Sequence, residues 1–449
     1  MTSKTSPLAN AARQRLLQRV EAMQDAASIG MSDRVTAELK SIDFSTLSGY
    51  DELRFYRSLG QKFGVESPYF RMHEGLAGSH TQIAGKALLN FSSYDYLGLN
   101  GHPEIVAAAK AAIDRYGVSA SASRHVAGER PVHRALEQAL ADHYGVADSL
   151  IFVSGYATNL GVIGHILGPK DLVIYDSLAH NSVVMGGVLS GAARRSFPHN
   201  DLDSLDRMLA SIRGHFERTL IVVEGLYSMD GDYPDLPRLI EIKSRHSAWL
   251  MVDEAHALGV LGKRGYGSAE YFGIDPQQVD IWMGTLSKTL AGCGGYIAGC
   301  HELVEYLRLT VGVFVYSVAM PPVIAASALK ALEIMHREPQ RVTKLQQNGA
   351  TFRSLALNRG LDIGNGAGTA ICPIIIADSA PAVVLSQRLL ERGINVQPVT
   401  HPAVPAKASR LRFFLTAMHA DAEMAAAIEA TAEELGQVRD RMRALGPLL

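Results

Sequence analysis

The chain has 449 residues, 47% of them hydrophobic and 20% charged, and a formal net charge of −2. That length exceeds one small core and suits a large α/β domain with one or two smaller ones, while a near-neutral balance offers no basic surface for nucleic acid. The three cysteines, Cys293, Cys300 and Cys372, lack C-x-x-C spacing, which argues against a disulfide framework or a metal site and makes the reducing cytoplasm the expected compartment.

The N-terminus lacks the uninterrupted apolar stretch of a secretory signal. Leu16, Leu17, Val20 and Met23 recur at helical spacing and predict an amphipathic helix over residues 8–27. Gly60, Gly64, Pro68, Gly75 and Gly78 punctuate the stretch beyond it, so residues 1–87 read as an N-terminal extension. From Leu88 onward short apolar runs alternate with helical stretches, the pattern of a mostly parallel sheet covered by helices. Runs at 149–153, 172–175, 220–223, 250–252 and 281–283 read as buried strands, each followed by polar or glycine-rich residues. In open α/β sheets ligands collect at those carboxyl ends. An apolar run at 309–320 is too short to span a bilayer and stops at Pro321-Pro322, so no transmembrane segment is expected. A helix over 323–335 then closes a large domain, 88–335, and a smaller α/β domain occupies 336–449.

Chemistry concentrates at the strand ends. Lys288 stands in Gly284-Thr285-Leu286-Ser287-Lys288-Thr289, downstream of Val252-Asp253-Glu254-Ala255-His256. A lysine in that setting can form an imine, and an Asp at a strand mouth can hold a protonated pyridine nitrogen. Together they imply pyridoxal phosphate. An ATPase reading of the Asp-Glu pair needs a G-x-x-x-x-G-K-[ST] loop, and none precedes it; a dinucleotide G-x-G-x-x-G is also missing. Ser154-Gly155-Tyr156 follows a strand and opens a helix, so the amides of Gly155 and Tyr156 suit a phosphate. His256 is placed to bond the phenolic oxygen, and His180, after another strand, to lie on the pyridine face.

In this order, Ser154-Gly155-Tyr156, residues 176–182, Glu224 to Asp232, Asp253-Glu254-Ala255-His256 and Gly284 to Lys288 resemble the motifs of the α-oxoamine synthase family, over roughly residues 88 to 420. The resemblance implies a pyridoxal-phosphate-dependent transferase of fold type I, with a mostly parallel seven-stranded sheet, acting as a homodimer with sites at the subunit interface. It implies Lys288 as the imine-forming residue, Asp253 as pyridinium partner, His256 as phenolic-oxygen contact and His180 as stacking residue. Thr285 would bind phosphate and Ser228 would lie near the ring oxygen. Ser317, in Tyr316-Ser317-Val318-Ala319-Met320, matches the segment that reaches the neighbouring subunit's phosphate, although Val318 replaces a usual hydroxyl residue. Arg410, in Ser409-Arg410-Leu411-Arg412-Phe413-Phe414, matches the arginine that grips the amino acid carboxylate, and His133 matches a histidine near the substrate, with Glu129 in place of a small residue.

The family reaction condenses a small amino acid (serine, alanine or glycine) with an acyl thioester of coenzyme A or an acyl carrier protein, losing carbon dioxide and a thiol. Tyr94 stands where glycine- and alanine-using members commonly carry Asn, which, with the long extension, points to a specialised synthase taking a longer acyl chain in lipid or secondary-metabolite biosynthesis. The alternatives are 8-amino-7-oxononanoate synthase or serine palmitoyltransferase activity proper, a pyridoxal phosphate aminotransferase or aldolase, and a catalytically silent dimer partner.

Overall fold

Strand periodicity decides the architecture. The computed structural model describes residues 43–47, 49–51, 54, 57, 58, 66–401 and 403–445; the helix expected over 8–27 lies outside them. The chain divides into Met1–Gly64 and Val65–Leu449. In the first unit Asp43 caps a 3-10 turn, Phe44–Thr46, by accepting from the Ser45 amide at 2.9 Å.

In the second unit, strands β1 (His80–Ile83), β2 (Lys86–Asn90), β3 (Asp148–Phe152), β4 (Leu172–Asp176), β5 (Ala193–Phe197), β6 (Thr219–Glu224), β7 (Trp249–Asp253), β8 (Ile281–Thr285), β9 (Gly295–Gly299), β10 (Ile371–Ala377), β11 (Ile394–Asn395), β12 (Gln397–Val399) and β13 (Ser409–Phe414) form three sheets. The central one has seven strands in the order β3-β9-β8-β7-β6-β4-β5. Only β9 runs antiparallel to its neighbours there. Both faces are covered, as a parallel sheet requires. Leu220, Val222 and Met251 point into one hydrophobic cluster, while Ile221, Val223, Leu250 and Val252 point into the other, the period-2 alternation of a strand.

Two strands of this sheet were not legible as such. β5 is Ala-Arg-Arg-Ser-Phe at an edge, largely exposed, and β9 lies within a glycine run that reads as a loop. The glycines have a packing reason: a Cβ on Gly295 would stand 2.7 Å from the Cα of Gly155, so the helix Gly155–Ile166 begins directly against β9.

The boundary expected at residue 87 falls inside β2. That strand pairs with β1 and, in parallel, with β11, matching Leu89 to Ile394 and Asn90 to Asn395. The side-chain amide of Asn395 donates to Asn90 Oδ1 at 2.9 Å, and Phe91 N donates to Asn395 O at 2.8 Å. Residues 80–90 therefore belong with the C-terminal sheets, because hydrogen-bonded pairing outweighs sequence proximity. The helix expected over 323–335 runs Pro322–Arg337, with proline at its first turn, where a missing N–H costs nothing. Among the described residues no helix is long and apolar enough to cross a membrane.

Candidate active site

The parallel strands β3, β4, β6, β7 and β8 deliver their following residues to one edge of the sheet. There they enclose a cleft of about 190 Å³ lined by Tyr94, Gly155, Tyr156, His180, Ser228, Asp253, His256, Thr285 and Lys288, together with Asn159, Ser182, Glu224 and Arg412. Nine of the twelve residues selected from sequence thus meet at one place.

Asp253 ends β7 almost buried. Its Oδ1 accepts from the Ala255 amide at 2.9 Å and its Oδ2 from Asn159 Nδ2 at 2.8 Å. Asn159 also donates to Ser182 Oγ at 3.0 Å, and Ser182 Oγ lies 2.7 Å from His180 Nδ1. Since Ser182 Oγ accepts from Asn159 and the Ser182 amide also donates to His180 Nδ1 at 3.3 Å, the ring nitrogen is held as an acceptor and the proton of neutral His180 sits on Nε2. Desolvation depresses the His180 pKa, opposed by Asp253 and assisted by Lys288. Asn159→Ala should free an Asp253 oxygen and weaken cofactor affinity about tenfold, the worth of one hydrogen bond to a charged group; a fluorescence titration with pyridoxal phosphate reads it.

His256 is buried, with Nδ1 2.7 Å from the Tyr96 hydroxyl. Burial, and after it the charge of Lys288, holds the imidazole well below its ordinary pKa. A neutral ring whose Nδ1 accepts from Tyr96 presents Nε2–H to the cleft. Tyr156 opens the helix Gly155–Ile166, its hydroxyl donating to Asn181 Oδ1 at 2.9 Å. The Thr285 hydroxyl donates to Gly294 O at 2.8 Å, and a Cβ on Gly155 would come within 2.9 Å of Thr285 Oγ1. Only glycine lets the helix start approach so closely.

Lys288 lines the cleft, its Nζ lying 5.6 Å from the Tyr94 ring centroid. Desolvation brings its amine down to about 8, against the opposing pull of Asp253 and Glu224. Glu224, buried beside Asp253, is pushed up to about 8 by burial first and that carboxylate second.

The donor set fits pyridoxal phosphate. First-turn amides at Gly155 and Tyr156 have no helical acceptor, which suits a phosphate; a buried carboxylate faces the same cleft for a pyridinium; and a desolvated amine is present for an aldehyde. A model for aminotransferase class I and II matches residues 86–430. The chain is 41% identical over 356 residues to 8-amino-7-oxononanoate synthase of Pseudomonas putida strain W619, covering 79% of this chain and 90% of the relative. The enzyme of that name from Geobacter sulfurreducens is 41% identical over 369 residues, covering 81% and 94%. The chain belongs to the α-oxoamine synthase family. Among solved structures, Sphingomonas wittichii serine palmitoyltransferase superposes with a TM-score of 0.84 at 30% identity over 88% of this chain and 99% of that one, and a serine palmitoyltransferase structure holding PLP gives 0.84 at 28% over the same shares. This α-oxoamine synthase is accordingly a pyridoxal-phosphate-dependent enzyme of the acyl-transferring kind.

Three residues expected at the site of an α-oxoamine synthase stand elsewhere. Arg410 is turned into protein: Nη1 pairs with Asp230 Oδ1 at 2.7 Å and donates to Met229 O at 3.0 Å, while Nε donates to Ala408 O at 3.0 Å. Arg412, two residues on and on the same strand face, lines the cleft instead, its Nη1 anchored on Ser228 O at 2.9 Å and its guanidinium 4.5 Å from the Phe414 ring. His133 is fully buried with both ring nitrogens engaged, by Met320 O at 2.7 Å and the Arg130 amide at 3.2 Å, so it has nothing to offer a ligand. Ser317 lies outside the cleft between exposed Tyr316 and Val318. Of the residues that sequence reasoning gave no role, Arg412 shares the strand face of Arg410, Ser182 and Glu224 stand in the motif segments without a cue to their contacts, and Asn159 and Tyr96 carried no local cue.

Proposed function

We propose that the enzyme joins a small L-amino acid to an acyl thioester, brought as acyl-coenzyme A or on an acyl carrier protein, giving a 2-amino ketone, carbon dioxide and a free thiol. The single observation behind this reading is that the Lys288 amine and the Arg412 guanidinium line one cleft. The amine serves a Cα proton, and a planar guanidinium suits a carboxylate through two parallel hydrogen bonds.

We assign the Gly155 and Tyr156 amides and Thr285 to the cofactor phosphate, Asp253 to its ring nitrogen, His256 and Ser228 to its phenolic oxygen, His180 to its ring face and Lys288 to its aldehyde carbon. Pyridoxal phosphate bound there supplies an electron sink, which lets bonds at the amino acid Cα break and that carbon attack the thioester carbonyl. Lys288 Nζ, as free amine, takes the Cα proton and holds it as ammonium. Arg412 orients the carboxylate that is later lost. Tyr94, its ring 5.6 Å from Nζ, narrows the space for the amino acid side chain and favours serine, alanine or glycine.

Exposed Leu309, Tyr316, Val318 and Val126 support a homodimer whose interface covers this apolar surface, with Ser317 in the segment that meets the partner. Unpaired Cys293, Cys300 and Cys372 support a cytoplasmic setting. We take residues 88–335 as the cofactor-bearing domain and 336–449 as the smaller one, the first residues of the former pairing through β2 with β11 of the latter.

The test is a spectral titration of the holoenzyme with glycine, alanine and serine, followed by acyl thioesters of increasing length, scoring thiol and carbon dioxide. Thiol release without carbon dioxide, or turnover by transamination, would sink the reading. The acyl length preferred separates an 8-amino-7-oxononanoate synthase from a serine palmitoyltransferase. The Lys288 amine also sets a pH dependence. It is an ammonium below about 8 and a free amine above, so capture of pyridoxal phosphate by the cofactor-free protein should accelerate as pH rises to that value and then level off. A stopped-flow series that is still rising toward the ordinary lysine range would contradict it.

A further inference from the structure

Beyond Glu224, which lines the cleft, the run to Asp232 contains two further acids that the condensation chemistry does not use. Asp230 pairs with Arg410 at 2.7 Å. Asp232 Oδ2 lies 2.8 Å from His199 Nε2, and His199 Nδ1 lies 2.9 Å from Asp176 Oδ1. All three side chains of this second group are largely shielded, Asp176 completely.

A carboxylate only accepts, so each imidazole nitrogen facing one must donate, and a ring that donates from both is an imidazolium. The two acids hold His199 protonated up to about 10 despite the opposing cost of desolvation. Tyr227 packs edge-on against the ring at 4.5 Å, and Asn200 flanks it, its amide donating to Asp176 Oδ2 at 2.8 Å and its side chain to Asp232 Oδ2 at 3.2 Å.

The two ends of this clamp belong to different walls of the cleft. Asp176 is the last residue of β4 and caps the turn toward His180, accepting from the Leu178 amide at 2.8 Å. Asp232 closes the 227–232 turn, its carbonyl accepting from Tyr227 N at 2.8 Å. That turn carries Ser228 and Met229, on which Arg412 Nη1 rests at 2.9 Å and 3.2 Å. On its other side Gly231 is pressed against β10, where a Cβ would meet Ile371 O at 2.1 Å. The turn therefore cannot shift toward β10, and the His199 clamp resists its shifting away from β4.

We propose that His199 is a positioning residue: its imidazolium ties the 227–232 turn to the end of β4 and so fixes where Arg412 stands relative to His180 and Lys288. This deepens the proposed substrate reading and rests on Arg412 receiving the amino acid carboxylate. Loss of the clamp acts on recognition of the amino acid, and the thioester is spared.

Two measurements test it. In cofactor-free protein labelled with 15N-histidine, one of the 16 histidines should keep both nitrogens protonated at about pH 8.5, two units above the ordinary histidine range, and that signal should vanish in His199→Phe. Absence of any imidazolium at that pH overturns the proposal. In the holoenzyme, His199→Phe, which keeps a ring against Tyr227, should raise the amino acid KM about tenfold while the thioester KM stays within about twofold. An unchanged amino acid KM overturns it, as does an equal rise for both substrates. Should His199→Phe not fold, Asp232→Asn replaces it, with a rise of about threefold expected for the amino acid alone and no rise counting against. If the unaltered enzyme binds no small amino acid, the substrate reading fails instead, and the labelling result still decides whether the clamp exists.

Discussion

Lys288→Ala is expected to lose condensation activity by about four orders of magnitude, the upper range for removing a positioned general base. The physical reason is that Nζ is the amine in the cleft brought down to about 8 by desolvation, which makes it both the group that can condense with an aldehyde and the base that can hold the Cα proton near neutral pH. The neighbouring acids do not replace it: Asp253 has one oxygen committed to Asn159 and the other to the Ala255 amide, and Glu224, buried at the cleft wall, has Oε2 committed to the Ser228 amide at 3.1 Å. Activity is read as thiol release, with the dissociation constant for pyridoxal phosphate measured separately so that weakened binding is not mistaken for lost chemistry. Partial recovery by added small amines would support the proton-transfer role. Residual activity above about one per cent would sink it.

The second large effect distinguishes two arginines on one strand. Arg412→Ala should raise the amino acid KM about a hundredfold, in line with truncating one partner of a shielded, charge-assisted pair, while leaving the fold intact. Arg412→Lys should recover little, because a point charge lacks the guanidinium fork. Arg410→Ala should do the reverse. It strands Asp230, whose Oδ1 pairs with Arg410 at 2.7 Å, and breaking a buried pair costs about 3 kcal/mol of stability, with a smaller change in KM. Urea unfolding and steady-state kinetics on the same three proteins check both halves. A carboxylate clamp at Arg410 would appear as a large KM rise in its alanine variant with Arg412→Ala near normal.

These two arginines also show where sequence reading reached its limit. Strand alternation puts residues 410 and 412 on the same face of β13, so periodicity alone does not choose between them. What chooses is Asp230, which lies in another strand-end turn and reaches only Arg410. The same holds for His133: its place in a helix is legible, but that Met320 O closes off its Nε2 depends on a contact between residues far apart in the chain. The cleft itself was legible because parallel strands write their own signal, a short apolar run ending in a polar residue, and Asp253 and Lys288 each sit just past such a run. Asn159 and Ser182 gave no such signal, lying inside helices where an Asn or Ser is ordinarily a surface residue. β9 was hidden by composition, since the glycines that let it lie against the helix start look like those of a loop.

The pairing of β2 with β11 has a mechanical consequence. Asn90 and Asn395 tie the segment that leads into Tyr94 to β11, and Phe414 N, donating to Phe91 O at 2.9 Å, ties it to the strand that carries Arg412. Tyr94 and Phe414 also touch edge to face at 4.8 Å. This aromatic and this cation therefore form one jaw of the cleft, its internal spacing set by strand hydrogen bonds and by the Phe414 ring between them rather than by either side chain alone.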